Sequence, residues 1–528
     1  MKKIRIYSLI WAVASLLFSS CTDGFDSINT DPNKSSTATA STLATSLLGN
    51  MMTYKIDPET SLEREWMTDY FLVKMVVYAG DQNGAQYNIF NSDYFMNGFA
   101  TGRVTNVGYE GLRNIPKMLD LSTADARSTY EGFAKFLKAY HLYYITCFYG
   151  DIPYSEALQG EAGMLVPKYD TQKEVFVQIL DDLDAAYDLL SKASKPLGGD
   201  FVYNASNNLK NWQKVVNSFE LNVLITLSAK VDDPELRVKE RFAQIVSSRP
   251  LFESNADNLA LTFSASSPKL YYVLNEPKRG TAAQYMYLSE YFVNMLRNYD
   301  DYRLFAYAAP AAPKLTEGVA ADSYEAYVGI NHTLPFNEVQ EQSERGSHLN
   351  RRYTDDANKT GEPHAKLGYA QLNFVLAEAA ARGWISGSAS DYYKKGIRAG
   401  LEFTAANTPA QYNNGRTINE AYITSHLANP VLQLTGNPES DIEKIIEQKY
   451  IASFLQYQRD TYLDYRRTGY PRLPINPSTS LNLVTDKMQV RIKYPSGELS
   501  YNQANLTEAV QRQFNGFDDE NQLMWLLK

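Results

Sequence analysis

The 528-residue sequence has few of the residues that build metal and redox sites. It contains two cysteines and five histidines, and the histidines are scattered, without the H-E-x-x-H spacing that puts two ligands on one helix face. It also lacks the glycine-rich loops that cradle phosphates and the G-x-S-x-G turn of serine hydrolases. We therefore predict no cofactor, no metal ligands and no catalytic residues, and hence a protein that is not an enzyme.

The sequence has no excess of positive charge, because 60 acidic residues outnumber 51 basic ones. The formal net charge is -9, and an acidic surface repels phosphate backbones, so nucleic acid is excluded as the expected partner. Past the first twenty residues, the chain has no apolar run of the roughly 20 residues that a transmembrane helix requires. Any link to a membrane is therefore expected to come through a lipid.

The first twenty residues are typical of a secretory signal peptide. Lys2, Lys3 and Arg5 precede an apolar core of about a dozen residues, and small residues follow it. Residues 17–21, Leu-Phe-Ser-Ser-Cys, resemble the lipobox of bacterial lipoproteins, in which the peptidase cuts before a cysteine that carries a diacylglycerol. This predicts lipidation at Cys21; the alternative is an ordinary signal peptide with an incidental cysteine.

The remainder is predicted to form one domain. Residues 21–34 are polar and rich in turn-forming residues, which favours a lipidated tether. No shift in composition divides residues 35–528, although their length alone would allow two or three domains.

Apolar residues spaced three or four apart predict several long helices. One begins near Tyr130 and ends at Gly150, and it includes Cys147, which we expect to be a buried and inert thiol. Two more carry the buried positions Val175, Ile179, Leu183, Ala186 and Leu190, and then Trp212, Val215, Phe219, Val223 and Leu227. Thr171 with Glu174 forms the pattern of a capping box.

The second half is predicted to be less regular. Residues 259–263 are expected to form a short strand and residues 331–364 a polar loop. A helix is expected from Leu367 to Gly383 and another with Ser440 at its N-cap, and alternation over residues 487–494 predicts an edge strand with a charged outer face.

A loop over residues 78–94 is the best candidate for a ligand site. Tyrosines and amides predominate there, and sugars bind through aromatic faces and fixed hydrogen-bonding groups. The alternative is a surface loop whose aromatic side chains fold back onto the helices. The candidate contacts are Tyr78, Asp81, Asn83, Tyr87, Phe90, Asn91, Asp93 and Tyr94, with Tyr324 and Tyr327 from a later tyrosine-rich region.

No pair of carboxylates stands out as catalytic. Asp181 and Asp184 lie opposite the apolar stripe of their predicted helix, as a solvated surface would. A glycosidase needs two carboxylates about 5 to 9.5 Å apart across a cleft, and the sequence singles out no such pair.

Several motifs resemble one family in order and spacing over about residues 25–510. Residues 148–158, FYGDIPYSEAL, are similar to the F-G-D-I-P-Y-x-E-A-L stretch of the SusD/RagB nutrient-binding outer-membrane lipoproteins. Residues 369–384, YAQLNFVLAEAAARGW, resemble that family's Y-A-E-x-x-F-L-x-A-E-A-x-x-R-G-W helix, with Gln371 in place of the usual glutamate. Residues 464–471 continue the match, which is to the second SusD-like branch.

This resemblance implies a mainly α-helical fold of tetratricopeptide-like helix pairs, with a loop-rich remainder and a few short strands. It implies a cell-surface lipoprotein in the outer membrane of a Gram-negative bacterium. It also implies capture of a nutrient oligosaccharide and its delivery to a SusC-like TonB-dependent transporter. Capture of a peptide is the alternative within the family, and a surface glycosidase is a third hypothesis.

Overall fold

The computed structural model describes residues 38–52, 70–80, 108–204, 206–267, 271–275, 284–457 and 459–528. The predicted signal peptide, Cys21 and the tether at residues 21–34 lie outside these residues. None of the described helices is long and apolar enough to cross a membrane.

Helices dominate the first half of the described chain. The helix predicted near Tyr130 is confirmed as α3 and buries Cys147, and that burial raises the thiol pKa to about 12. The predicted capping box is confirmed at the start of α4, where Thr171 accepts from the Glu174 amide. The helices are α1 (Ala40–Met52), α2 (Ile115–Asp120), α3 (Arg127–Tyr149), α4 (Gln172–Lys192), α5 (Leu209–Thr226) and α6 (Val238–Ser248).

The second half has shorter helices and longer connections. Its helices are α7 (Glu290–Asn298), α8 (Arg303–Tyr307), α9 (Ala312–Thr316), α10 (Phe336–Ser343), α11 (Arg351–Thr354), α12 (Tyr369–Ala381), α13 (Ala389–Ala406), α14 (Glu420–Ala428), α15 (Pro438–Ala452), α16 (Asp460–Thr468), α17 (Glu498–Tyr501) and α18 (Gln503–Phe514). Single 3₁₀ turns, such as Tyr324–Ala326 and Pro430–Leu432, link several of them.

Successive helices pack as pairs around one main hydrophobic core. In the first half α3 packs on α4 and α4 on α5; in the second half α12 packs on α13, and both contact α15. Contacts between α5 and α12 join the two halves, and the apolar stripes of these helices are buried. The predicted fold class, mainly α with helix pairs and few short strands, is confirmed.

Two short antiparallel ribbons complete the described fold. Strand β1 (Val76–Tyr78) pairs with β3 (Met286–Leu288), and β2 (Leu259–Leu261) pairs with β4 (His364–Leu367). The strand predicted at residues 259–263 is therefore confirmed as β2, although it is shorter.

Three predictions in the second half are wrong. Residues 331–364 contain α10, α11 and the start of β4 rather than one loop, since Val339 and Tyr353 are buried apolar anchors. Leu367 ends β4 and is not the first residue of α12. The N-cap of α15 is Asn437, whose side chain accepts from the Ser440 amide.

The edge strand predicted over residues 487–494 is also wrong. Alternating apolar and charged residues suggested one exposed face, but this segment forms no strand. Arg491 is fully buried and pairs with Asp518 at 2.5 Å. Its backbone amide donates to the Glu520 carbonyl, so the segment is fixed by the C-terminal loop and not by a sheet.

Buried charges join the helices of the second half. Arg467 on α16 pairs with Glu378 on α12 and, at 2.8 Å, with Asp464 of its own helix. Asp464 also accepts from Lys449 on α15 at 2.7 Å. Arg467, together with Arg382, lowers the pKa of Glu378 to about 2 despite its burial.

The structure gives a reason for glutamine at position 371, where the family usually has glutamate. The Gln371 amide donates to the buried carboxyl group of Asp460, which also accepts from the Tyr144 hydroxyl. Burial raises the pKa of Asp460 to about 7. A neutral amide at position 371 therefore avoids placing a second carboxylate beside Asp460.

Replacing Arg467 with leucine should strongly destabilise the protein. Glu378 and Asp464 would lose their shared partner while still buried, and breaking a buried pair costs roughly 3–5 kcal/mol. Arg472→Leu is the matched control, because Arg472 is 71% exposed in its pair with Glu443 and an exposed pair contributes about 0–1 kcal/mol. Urea unfolding measures both variants, and equal losses would contradict the assignment.

Candidate functional site

The ribbon of β1 and β3 fixes the position of a polar cleft. Ser289 follows β3 directly and caps α7, accepting from the Phe292 amide at 3.0 Å. The Ser289 amide donates to the Met75 carbonyl, and the Glu290 amide donates to the Ile330 carbonyl. The start of α7 is thereby held against both the ribbon and the segment that leads into α10.

The cleft itself has a volume of about 520 Å³ and lies along one face of α7. That face supplies residues spaced four apart, namely Glu290, Asn294 and Asn298, with tyrosines beside them. The full lining is Glu290, Tyr291, Asn294, Met295, Asn298, Tyr299, Asn331, His332, Thr333, Val431, Glu447 and Pro474. Amides, hydroxyls and aromatic rings thus share one concave surface, as they do in sugar sites.

Glu447 of α15 also lines the cleft. Its carboxylate accepts a short hydrogen bond from the Tyr299 hydroxyl. Burial raises the pKa of Glu447 above its usual range, and the hydrogen bond from Tyr299 partly offsets that shift. The carboxyl group therefore has an oxygen fixed by Tyr299 and further acceptor capacity on the cleft side.

His332 is the most buried polar residue in the lining, at 4% exposure. Its Nε2 lies 3.2 Å from the Pro474 carbonyl oxygen, and a carbonyl can only accept, so Nε2 carries the proton and Nδ1 is an acceptor. No described group bonds Nδ1. Burial, with a smaller effect of the Lys74 charge, lowers the His332 pKa to about 3, which keeps the ring neutral.

Lys74 lies behind His332. Both line a small depression with Thr333 and Pro474, and burial lowers the Lys74 pKa to about 7. Its φ of 61° is in the left-handed region, which costs a residue with a Cβ about 1–2 kcal/mol. The tight turn before β1 holds it there, with the Lys74 amide donating to the Phe71 carbonyl.

An aromatic pair lies at the other end of the ribbon. The rings of Tyr78 and Tyr285 meet edge to face with centroids 6.0 Å apart, and the Ala79 amide donates to the Tyr285 carbonyl. Tyr285 is 43% exposed. Tyr78 thus lies in a strand and not in the predicted loop. Residues 81–107 are outside the described residues.

The structure separates the predicted site residues. Tyr324 packs on Phe305 with centroids 4.9 Å apart, and Tyr327 is 1% exposed with its hydroxyl donating to the Ala321 carbonyl. Arg297 donates to the backbone carbonyls of both tyrosines, and none of these three residues lines the cleft. The remaining predicted contacts, Asp81, Asn83, Tyr87, Phe90, Asn91, Asp93 and Tyr94, lie outside the described residues.

The sequence analysis did not predict the cleft, although the sequence contains one part of its pattern. Glu290, Asn294 and Asn298 repeat every four residues opposite buried Phe292 and Leu296, which indicates one polar stripe on an amphipathic helix. Glu447 and His332 come from distant segments, so no local pattern linked them to that stripe. Among the described residues, no cluster of three or more His, Cys, Asp or Glu could hold a metal ion.

Comparison with known proteins assigns the family. Residues 32–495 match the SusD-like_2 family, described as starch-binding and associating with the outer membrane. No curated protein matches the chain. A SusD homologue from Bacteroides fragilis is 44% identical with a TM-score of 0.85, covering 93% of this chain and all of its own.

Further structures have the same fold. A second SusD homologue from Bacteroides fragilis is 31% identical with a TM-score of 0.77, over 93% of this chain and all of its own. A chitin-binding protein shares the fold at 22% identity and a TM-score of 0.73, over 92% of this chain and 99% of its own. The chain belongs to the SusD-like_2 family of outer-membrane-associated proteins, which confirms the predicted family and its outer-membrane location.

Replacing Tyr299 with phenylalanine should raise the pKa of Glu447 further. The variant keeps the ring but removes the hydroxyl that stabilises the charged carboxylate, and each pKa unit corresponds to about 1.4 kcal/mol. Titration of the ¹³C-labelled glutamate carboxyl groups by NMR measures the shift. Tyr291→Phe is the control, since Glu447 has its hydrogen bond from Tyr299; an unchanged Glu447 titration in Tyr299→Phe would contradict this geometry.

Proposed function

We infer that this protein captures an oligosaccharide without cleaving it, and that the cleft along α7 is a contact site for the sugar. The observation that carries this inference is the lining, in which Asn294, Asn298 and Asn331 stand beside Tyr291 and Tyr299. Amides supply both donors and acceptors for ring hydroxyls, and tyrosine faces cover the apolar side of a sugar ring. Membership in a family described as starch-binding supports the same class of ligand.

The loop at residues 81–94 is proposed to complete the site. It follows β1 and Gly80 in the sequence, and its predicted contacts include Tyr87, Phe90 and Tyr94. In this proposal a ligand contacts the cleft with one unit and the aromatic side chains of this segment with another. This extended arrangement suits an oligosaccharide better than a single sugar.

Asn294→Ala and Asn298→Ala should each weaken glycan binding. Each variant removes hydrogen bonds that a ligand would satisfy, and losing one such bond costs about 0.5–1.5 kcal/mol. A glycan array identifies the ligand, and calorimetry compares the variants. Asn337→Ala is the matched control, because Asn337 is exposed on α10 and outside the cleft; unchanged affinity in both cleft variants would contradict the assignment.

A glycosidase is a second candidate, because Glu290 and Glu447 line the same cleft. Two carboxylates across a sugar site can serve as general acid and base, and a raised pKa suits the acid. Incubating array-positive glycans with the protein, and analysing the products, separates the two functions. Hydrolysis that disappears in Glu447→Gln would establish the enzyme, and intact glycans would support capture.

Peptide capture is the alternative within the family. The same amides could pair with a peptide backbone, so the lining alone does not favour it. Binding of peptides by a protein that gives no signal on the glycan array would establish this alternative.

The membrane and transporter roles rest on Cys21 and on the family. A lipid at Cys21 would anchor the chain, with residues 21–34 as the tether, and the captured glycan would pass to a SusC-like TonB-dependent transporter. A single short acyl chain binds membranes reversibly, whereas several chains anchor stably. Copurification of the transporter with the protein from detergent-solubilised outer membranes tests the partnership.

Cys21→Ala should leave a folded, glycan-binding protein that is lost from the cell surface. The substitution removes the thiol that the lipid requires and changes none of the described residues. Surface labelling of intact cells, compared with the glycan binding of the secreted material, measures the two properties. Persistent surface labelling of the variant would overturn lipid anchoring at this position.

A further inference from the structure

The most exposed apolar side chains of the described chain lie near its C-terminal helices, α17 and α18. Among the described residues, the large apolar side chains that are more than half exposed are Leu165, Val166, Leu483, Leu499, Tyr501 and Phe517. Single exposed apolar residues are ordinary, whereas a large apolar patch marks an interaction site. The question is therefore whether these six residues share one surface.

The loop at residues 163–167 lies against the start of α18. The Asn505 side chain donates to the Val166 carbonyl at 3.1 Å, and the Asn502 side chain donates to the Pro167 carbonyl at 2.7 Å. Asn502 is the residue between α17 and α18 and is itself 6% exposed. The exposed side chains of this loop and of α17 therefore meet at the N-terminal end of α18.

A second link joins two segments at the other end of α18. The side-chain amides of Asn482 and Asn521 donate to each other's oxygens at 2.8 and 3.0 Å, which holds the segment of Leu483 against the loop that carries Phe517. With 12 residues, α18 is about 18 Å long. Both apolar ends therefore fit within one standard interface of about 800 Å² per partner. We call the six residues and the outward face of α18 the C-terminal surface.

The charges of the C-terminal surface are paired within the protein. Arg512 of α18 pairs with Asp151 at 2.6 Å and with Glu508 at 3.3 Å. Residues 480–528 contain six acidic and five basic residues. Anionic lipid surfaces attract clusters of lysine and arginine, so this surface is suited to a protein and not to lipid head groups.

The exposed side chains also disfavour a second copy of the chain as the partner. Tyr501 is 81% exposed and Leu483 is 79% exposed, so both project from the surface. Projecting side chains bury their area in a concave partner, because interface cores are packed as densely as protein interiors. A twofold dimer through this surface would place the same projections face to face.

We propose that the C-terminal surface docks into an apolar concavity on the extracellular side of the SusC-like transporter that receives the captured glycan. This inference rests on the proposed partnership and names the part of the chain that contacts the transporter. The family associates with the outer membrane. None of the six exposed residues lines the cleft along α7, so docking leaves that cleft free for the glycan.

The C-terminal surface is fixed before the partner arrives. The Tyr169 hydroxyl donates to Glu498 of α17 at 2.6 Å, and the Arg512 guanidinium donates to the Tyr169 carbonyl at 3.1 Å. The Asp151 amide donates to Gln513 of α18 at 2.9 Å. A surface held in this way loses little conformational freedom on binding.

Tyr501→Ser and Leu165→Ser should each reduce the transporter that copurifies with the full-length lipoprotein from solubilised outer membranes at least tenfold. Losses of this size are typical of apolar anchors in an interface, with tyrosine prominent among them. Leu315→Ser is the matched control, because Leu315 on α9 is an exposed leucine, at 44%, outside the C-terminal surface. All three variants should keep the wild-type glycan affinity and urea midpoint. Equal copurification in all three would overturn the proposal.

Photocrosslinking in intact cells identifies what covers the surface. The photoreactive residue p-benzoylphenylalanine replaces Tyr501, Phe517 or, as the control, Leu315. The first two positions should crosslink to a TonB-dependent transporter, identified by mass spectrometry, and the control should not. Crosslinks from Tyr501 and Phe517 to a second copy, or to residues 21–37 of the same chain, would overturn the proposal, and so would their absence while the transporter still copurifies.

The docking surface, the partnership and glycan capture fail in different ways. A transporter that copurifies equally with wild type and Tyr501→Ser would overturn the surface and leave the partnership standing. Absence of the transporter from wild-type preparations would overturn the partnership and the surface together. Neither result changes the outcome of the glycan array, which tests capture by itself.

Discussion

The ion pairs around Arg467 fix the geometry of the second half of the protein. Arg467 joins α16 to Glu378 on α12, and Asp464 extends the connection to Lys449 on α15. Three consecutive residues of α15 then have three separate tasks. Glu447 faces the cleft, Gln448 accepts from the buried Arg303, and Lys449 holds α16. The carboxylate in the cleft is therefore positioned by charges inside the protein.

Local patterns predicted the long helices well, because their stability comes from a regular apolar stripe. The stripe of α4 from Val175 to Leu190 is buried as its spacing required. The alternation at residues 487–494 gave a wrong prediction, because burial there depends on contacts with residues distant in the sequence. The neighbouring residues alone predict that Arg491 is exposed. Its burial is stabilised by the ion pair with Asp518 and by hydrogen bonds to the C-terminal loop. Only tertiary partners distant in sequence decide such a case.

The candidate site was harder to predict than the fold, because it is assembled from α7, residues 331–333, α15 and two further segments that are separate in the sequence. The polar stripe on α7 is readable from the sequence, but His332 and Glu447 meet it only through the packing of α15 and the turn before α10. Aromatic richness pointed to Tyr324 and Tyr327, which instead pack around Phe305. Tyrosine serves core packing and ligand contact equally well, so abundance alone does not separate the two uses.

The burial of Cys147 has a practical consequence for experiments on this protein. This residue of α3 is fully buried, and its raised pKa leaves almost no thiolate at neutral pH. Because Cys21 is the other cysteine in the sequence, a variant with alanine there has no reactive thiol of its own. A cysteine placed at the rim of the cleft would then accept a single fluorophore or spin label, and the site could be followed in solution without background labelling.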